Sequence, residues 1–178
     1  MYKEIFEGPK VNVIQMLDSR DQRVERQRQL LSSVAGGCLL SLHLNIPGPV
    51  KQSQTLQEVF DETTAFLQKQ LQSLSRGDFV VDHEVTGSGG FLLLKGEPET
   101  VKRFLVSLEE EHPYGRLWDL DLLWLDDNQQ LATIGRQDLG LPPRKCLLCQ
   151  ANAKACGRSR RHSLEELQEA IGQIVQQK

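Results

Sequence analysis

No apolar run in this chain approaches the length of a bilayer span, which argues against a membrane role. Its first residues lack the charged-then-apolar layout of a secretory signal. Cysteine is scarce: there are four, and Cys146, Cys149 and Cys156 are bunched near the C-terminus. That distribution speaks against a secreted disulfide framework, so the expectation is a cytoplasmic protein. Neither sign of charge dominates the net value of −3, but the distribution is uneven. Between Arg136 and His162 lie Arg136, Arg144, Lys145, Lys154, Arg158, Arg160 and Arg161, against Asp138 alone among acids. This cationic stretch points to an anionic partner. At 178 residues the chain is expected to form a single domain, 1–178, with a core over 18–135 and a basic, Cys-rich loop and last helix over 136–178.

The most informative stretch is Gly115–Leu125. Read at the strand period of two, Trp118, Leu120, Leu122 and Trp124 form an apolar face suited to packing on helices. The other face carries Leu117, Asp119, Asp121, Leu123 and Leu125. Two carboxylates roughly 6–7 Å apart along one strand face repel each other unless a cation meets them. An Asp-x-Asp strand is a common way to hold Mg²⁺ for phosphoryl or nucleotidyl transfer. The competing reading is an edge strand with two solvated Asp.

The remaining pattern arranges itself around that strand. Ser19-x-x-Gln22 reads as a capping box opening a helix that runs to about Val34. On it, Arg20, Arg23 and Gln27 share a face, either as a phosphate clamp or as a solvated basic surface. Residues 38–46 alternate, with Leu40, Leu42, Leu44 and Ile46 on one side and Leu39, Ser41, His43 and Asn45 on the other. Pro47-Gly48-Pro49 ends that strand, and an amphipathic helix follows over about Thr55–Leu74. A hairpin is expected next, with strands Phe79–Val85 and Phe91–Lys95 and a turn at Gly87-Ser88-Gly89-Gly90. On its first strand, His83 has the parity of a packed residue. Pro98 then opens a helix ending near His112, and a short strand over Gln130–Ile134 follows the Asp-x-Asp strand.

A helix followed by β-α-β-β-α-β is an α+β, ferredoxin-like plan in which the first and last strands of the unit are neighbours. It places Ser41, His43 and Asn45 beside Asp119 and Asp121 on a polar sheet face taken to be open. That face carries no aromatic platform, which argues against RNA, so no nucleic-acid partner is expected. Near the C-terminus, Cys146-x-x-Cys149, Cys156 and His162 have spacings that could serve one tetrahedral Zn²⁺. Reduced structural thiols or a redox pair are the alternatives. Ser163-x-x-Glu166 caps the last helix.

Several blocks together resemble one family, the holo-citrate lyase synthases. They are Leu44-Asn45-Ile46-Pro47-Gly48-Pro49-Val50-Lys51, Gly115-Arg116-Leu117-Trp118-Asp119-Leu120-Asp121, Asp138-Leu139-Gly140-Leu141-Pro142-Pro143-Arg144-x-Cys146, and Cys156-x-Arg158-Ser159-Arg160-Arg161-His162. The resemblance implies a cytoplasmic transferase acting on the acyl carrier subunit of citrate lyase, with triphosphoribosyl-dephospho-CoA as donor and pyrophosphate as product. Some members are fused to the enzyme that makes the donor; here the donor is expected from a separate protein. In that setting Asp119 and Asp121 would hold Mg²⁺, and Arg116 and His43 join them as candidate catalytic residues. Arg20, Arg23, Asn45, Lys51, Arg136, Arg144, Arg158, Arg160 and Arg161 become candidates for binding donor or carrier. A non-enzymatic, zinc-stabilised module that docks an acidic carrier protein is the alternative.

Overall fold

The computed structural model describes residues 2–177. Five strands form one antiparallel sheet: β1 (Cys38–Leu44), β2 (Val80–Glu84), β3 (Gly87–Leu94), β4 (Trp118–Leu125) and β5 (Leu131–Thr133), in the order β2-β3-β1-β4-β5. Five α-helices accompany them: α1 (Val13–Ser32), α2 (Gln54–Gln70), α3 (Pro98–Glu111), α4 (Ala153–Ser159) and α5 (Leu164–Gln176). With β5 set aside, the sheet has the expected ferredoxin-like order, with the first and last strands of the unit, β1 and β4, as neighbours.

One sheet face makes the principal core. Leu40 and Leu42 of β1, Leu92 and Leu94 of β3, and Trp118, Leu120 and Leu122 of β4 pack against Val59, Phe60 and Leu67 of α2 and Val101, Leu105 and Leu108 of α3. Trp118 is fully buried and its indole N–H donates to Thr63 Oγ1 at 3.0 Å, so the largest side chain in the core carries no unsatisfied polar atom. Ile171 of α5 reaches the same core. Leu164 of α5 also lies against the Pro47-Gly48-Pro49 turn, where Gly48 has a φ of +89° and a Cβ would sit 2.9 Å from Leu164 Cδ1.

Several sequence expectations are corrected. The first helix begins at Val13, because Asn12 makes a full capping box with Gln15 upstream of the one read at Ser19. Val13, Ile14 and Leu17 are exposed, so that added turn supplies no buried stripe, and the weak apolar pattern there concealed the helix. The second helix ends earlier, at Gln70, and β1 stops at Leu44; Ile46 instead packs beyond the strand with Ile5 and Leu56.

The hairpin turns at Val85-Thr86, and Gly87-Ser88-Gly89-Gly90 belongs to strand β3. These glycines allow close approach: a Cβ at Gly89 would lie 3.0 Å from His43 Nε2, and one at Gly90 would lie 3.1 Å from Phe60 Cζ. His83 lies exposed on the edge strand, not packed inside. It bonds Ser88 Oγ at 2.9 Å and sits 3.4 Å from Asp61.

The second sheet face is covered over part of its length, while Asp119 and Asp121 stay exposed on it. Helix α1 lies across it, and the matched gradients of helix and strand explain how. Leu31 packs with Leu39 and Phe91, Gln27 donates to Ser41 Oγ at 3.1 Å, and Arg23 comes near Asp119 and Asp121. At successive turns α1 is thus apolar, then polar, then cationic, and each part meets a sheet segment of matching character.

Candidate functional site

The register fixes the centre. Ser41 pairs with Asp121 and His43 with Asp119 across β1 and β4, and Gly89 of β3 flanks His43 from the other side. Because side chains alternate along strands, both carboxylates, the imidazole and the Ser41 hydroxyl share the face beneath α1. A cleft opens where α1 overhangs this face, lined by Arg20 and Arg23, by His43 and Asn45, by Lys51 and Gln52, by Gly87 and Ser88, and by Asp119. Arg23, His43 and Gly87 also line an adjoining cleft with Arg26, Asp82 and Glu84.

Electrostatics in the cleft follow from crowding. Desolvation, and to a smaller extent the Asp119 carboxylate, raise the pKa of Asp121, while Lys102 and Arg23 oppose the rise. His43 is driven down to about 3, first by burial and then by the Arg23 charge, so it is a neutral imidazole at physiological pH. Burial also lowers Arg23 against the pull of Asp119 and Asp121, and lowers Lys51, with Arg20 adding to the effect. Lys51 donates to the Ile46 carbonyl, which anchors its ammonium at the mouth of the cleft. The carboxylate pair lies beside the Arg23 guanidinium and the Lys102 ammonium and next to a neutral imidazole. The arrangement suits a hard divalent cation on the oxygens and a polyanion on the arginines.

Other candidates lie elsewhere. Arg136 pairs with Glu109 at 3.0 Å and Glu110 at 2.7 Å, and Arg144 pairs with Glu109 at 2.8 Å. The expectation that this basic stretch lies free of acids is therefore corrected for these two: Glu109 of α3 is buried between them. Their place has a backbone reason. Strand β5 pairs only with Leu123–Leu125, which leaves the first half of β4 as an uncovered edge. Arg144 Nη1 donates to the Trp118 carbonyl at 2.8 Å, and the buried Lys102 donates to that of Leu120. This cationic cluster satisfies the edge and protects it from further strand pairing. Arg116 points away from the cleft, donating to the Lys145 carbonyl at 2.7 Å. Arg158, Arg160 and Arg161 are exposed around α4, outside the cleft-lining set.

The Cys146, Cys149, Cys156 and His162 ligand atoms all lie within 4.8 Å of one another. Burial raises the Cys146 thiol, but backbone N–H groups of Leu148 and Cys149 and the two neighbouring thiols outweigh it, bringing the group to about 6. Burial and the Cys146 and Cys149 thiols push Cys156 up to about 11. Sequence reasoning missed Gln52 and Ser88 as cleft residues and Lys102 and Glu109 as edge residues. The run of small residues at 87–90 was the available signal for Ser88, since glycines within a strand mark close approach.

A family model described as apo-citrate lyase phosphoribosyl-dephospho-CoA transferase matches residues 11–178. The chain belongs to this family. A probable apo-citrate lyase phosphoribosyl-dephospho-CoA transferase of Streptococcus pyogenes serotype M18 (strain MGAS8232) is 38% identical over 175 residues, covering 96% of this chain and 88% of that protein. The apo-citrate lyase phosphoribosyl-dephospho-CoA transferase of Shigella flexneri serotype 5b (strain 8401) is 32% identical over 161 residues, 88% of this chain and 84% of its own. Protein CitXG of Leuconostoc mesenteroides subsp. cremoris is 38% identical over 178 residues, which span 97% of this chain but 37% of that longer protein. Among the described residues no helix is long and apolar enough to cross a membrane.

Proposed function

We propose that this family member transfers the 5-phosphoribosyl-dephospho-CoA group from triphosphoribosyl-dephospho-CoA to a serine of the citrate lyase acyl carrier subunit, in the cytoplasm. The carrier hydroxyl attacks the α-phosphorus of the donor. The new Ser–O–P bond forms, the α–β phosphoanhydride bond breaks, pyrophosphate leaves, and the serine proton is released. The convergence of Asp119, Asp121, His43 and Arg23 under α1 supports this reading most strongly. Asp119 and Asp121 would hold Mg²⁺, which when bound supplies charge neutralisation at the reacting phosphate. Arg20, Arg23 and Lys51 grip the triphosphate, Asn45 lies beside them to hydrogen-bond the donor, and neutral His43 keeps the floor of the site uncharged. The exposed Arg158, Arg160 and Arg161 guide an acidic carrier, Arg144 holds the strand that bears the carboxylates through the Trp118 carbonyl, Arg136 is tied with it to Glu109 of α3, and Arg116 is tied to the Lys145 carbonyl. The test is intact mass analysis of apo carrier incubated with donor, Mg²⁺ and the protein. A gain equal to the phosphoribosyl-dephospho-CoA moiety is expected, with pyrophosphate in equal amount. A carrier whose mass stays unchanged would refute the reading.

A further inference from the structure

The cluster formed by Cys146, Cys149, Cys156 and His162 lies outside the residues lining the cleft, yet it is the most complete ligand set among the described residues. Tetrahedral Zn²⁺ with Zn–S near 2.3 Å and Zn–N near 2.0–2.1 Å separates its ligand atoms by about 3.6–3.8 Å. Cys149 Sγ lies 3.9 Å from Cys156 Sγ, and His162 Nε2 lies 3.4 Å from Cys149 Sγ. All four cysteines of the chain are free thiols.

We propose that these four residues bind one structural Zn²⁺, and that the metal fastens the start of β4 to α5. The connections on either side of the cluster give the second part its content. On one side, Arg144 is tied to Glu109 and to the Trp118 carbonyl, and Arg116 reaches the Lys145 carbonyl. On the other, His162 immediately precedes Ser163, the N-cap of α5, and α5 contributes Ile171 to the core. Between them Leu147 packs against the principal core, and the remaining ties are local. Cys146 N–H donates to the Ala151 carbonyl at 2.7 Å, Ala153 N–H donates to the Arg144 carbonyl at 2.9 Å, and α4 is only seven residues long. A metal with four ligands from so short a segment supplies the fixing that an apolar core of this size lacks. Three thiols lose their protons on binding, and the resulting net negative charge lies within a segment carrying Arg158, Arg160 and Arg161.

The experiment uses the full chain purified under reducing conditions without chelator, then supplied with Zn²⁺ and desalted. Elemental analysis is expected to find close to one zinc per chain, and Asp119→Asn should keep it, because the carboxylates belong to a separate site. Cys149→Ser and Cys156→Ser should lose it. Where those variants fail to fold, the wild-type chain still decides the matter. Cobalt substitution should give the intense thiolate-to-metal absorption of a tetrahedral sulfur site, and a strong zinc chelator should lower Tm, with recovery on adding zinc back. Zinc no higher than in a Cys149→Ser control, no thiolate–cobalt absorption and a Tm indifferent to chelator would overturn the proposal. A Cys149–Cys156 disulfide in the protein as isolated from reducing cytosol would do the same.

Discussion

Gln27 on α1 donates to the Ser41 hydroxyl across 3.1 Å, and both side chains are buried. This bond marks the point where the helix changes from the apolar contact at Leu31 to the cationic one at Arg23. Removing either partner leaves a buried polar atom unsatisfied, at a cost of about 1–3 kcal/mol. Gln27→Ala and Ser41→Ala should each lower stability by about that amount, with the double variant well short of the sum. Denaturant unfolding of the four proteins measures this. Additive losses would mean that the bond does not hold α1 to the sheet.

Asp121 supplies a stability prediction of unusual sign. Its pKa is raised in the folded protein, so between the ordinary carboxylate value and the raised one the native state binds more protons than the unfolded state. Stability therefore falls as pH rises through that window, by an amount that solvent screening of this exposed carboxylate keeps small. Asp121→Asn should melt no lower than wild type near neutral pH while losing roughly 10²-fold or more in transfer rate. Each kcal/mol relieved corresponds to about 2–4 °C in a chain of this size. A lower Tm with intact turnover would contradict both halves.

His43 runs the other way. Its folded pKa of about 3 lies below the ordinary value near 6.5, so the unfolded chain binds the extra proton in that interval. The stability that neutral His43 provides is complete above about pH 6.5 and is lost as pH falls toward 3. Tm against pH should decline more steeply for wild type than for His43→Gln. Parallel curves would show that the imidazole does not govern acid sensitivity.

The order of elements was legible in the sequence because strand alternation and helix stripes were strong where burial was strong: Leu40, Leu42 and Ile171 are inside, as their periodicity required. That Ser41 and His43 lie beside Asp119 and Asp121 followed from topology, while the exact register did not. The cover over that face was not legible, because α1 buries few apolar side chains and attaches itself through Gln27 and Arg23, residues whose composition reads as solvent-facing. The partners of Arg136 and Arg144 were hidden for a different reason: Glu109 sits in α3, beyond both β4 and β5, and no local spacing announces a contact such as that of Arg136 across 27 residues.

The arginines should divide into two kinds. Arg136→Ala and Arg144→Ala each leave the buried Glu109 with one cation fewer, so they should lower Tm by several degrees and reduce activity through loss of folded protein. Arg160→Ala and Arg161→Ala should leave Tm unchanged, raise the carrier KM and flatten its dependence on salt. Thermal melts and steady-state kinetics at two ionic strengths separate the groups. Equal melting temperatures for all four would show that the Glu109 cluster does not secure the β4 edge.

The claim that the cleft beneath α1 is where transfer occurs is tested most directly by single-turnover mass analysis of the carrier. Arg23→Ala, Asp119→Asn and Arg160→Ala proteins are compared with wild type at saturating Mg²⁺, donor and carrier. The account predicts that Arg23→Ala and Asp119→Asn slow the appearance of modified carrier by roughly 10²-fold or more, while Arg160→Ala proceeds at the wild-type rate. Near-normal single-turnover rates for folded Arg23→Ala and Asp119→Asn proteins would contradict it.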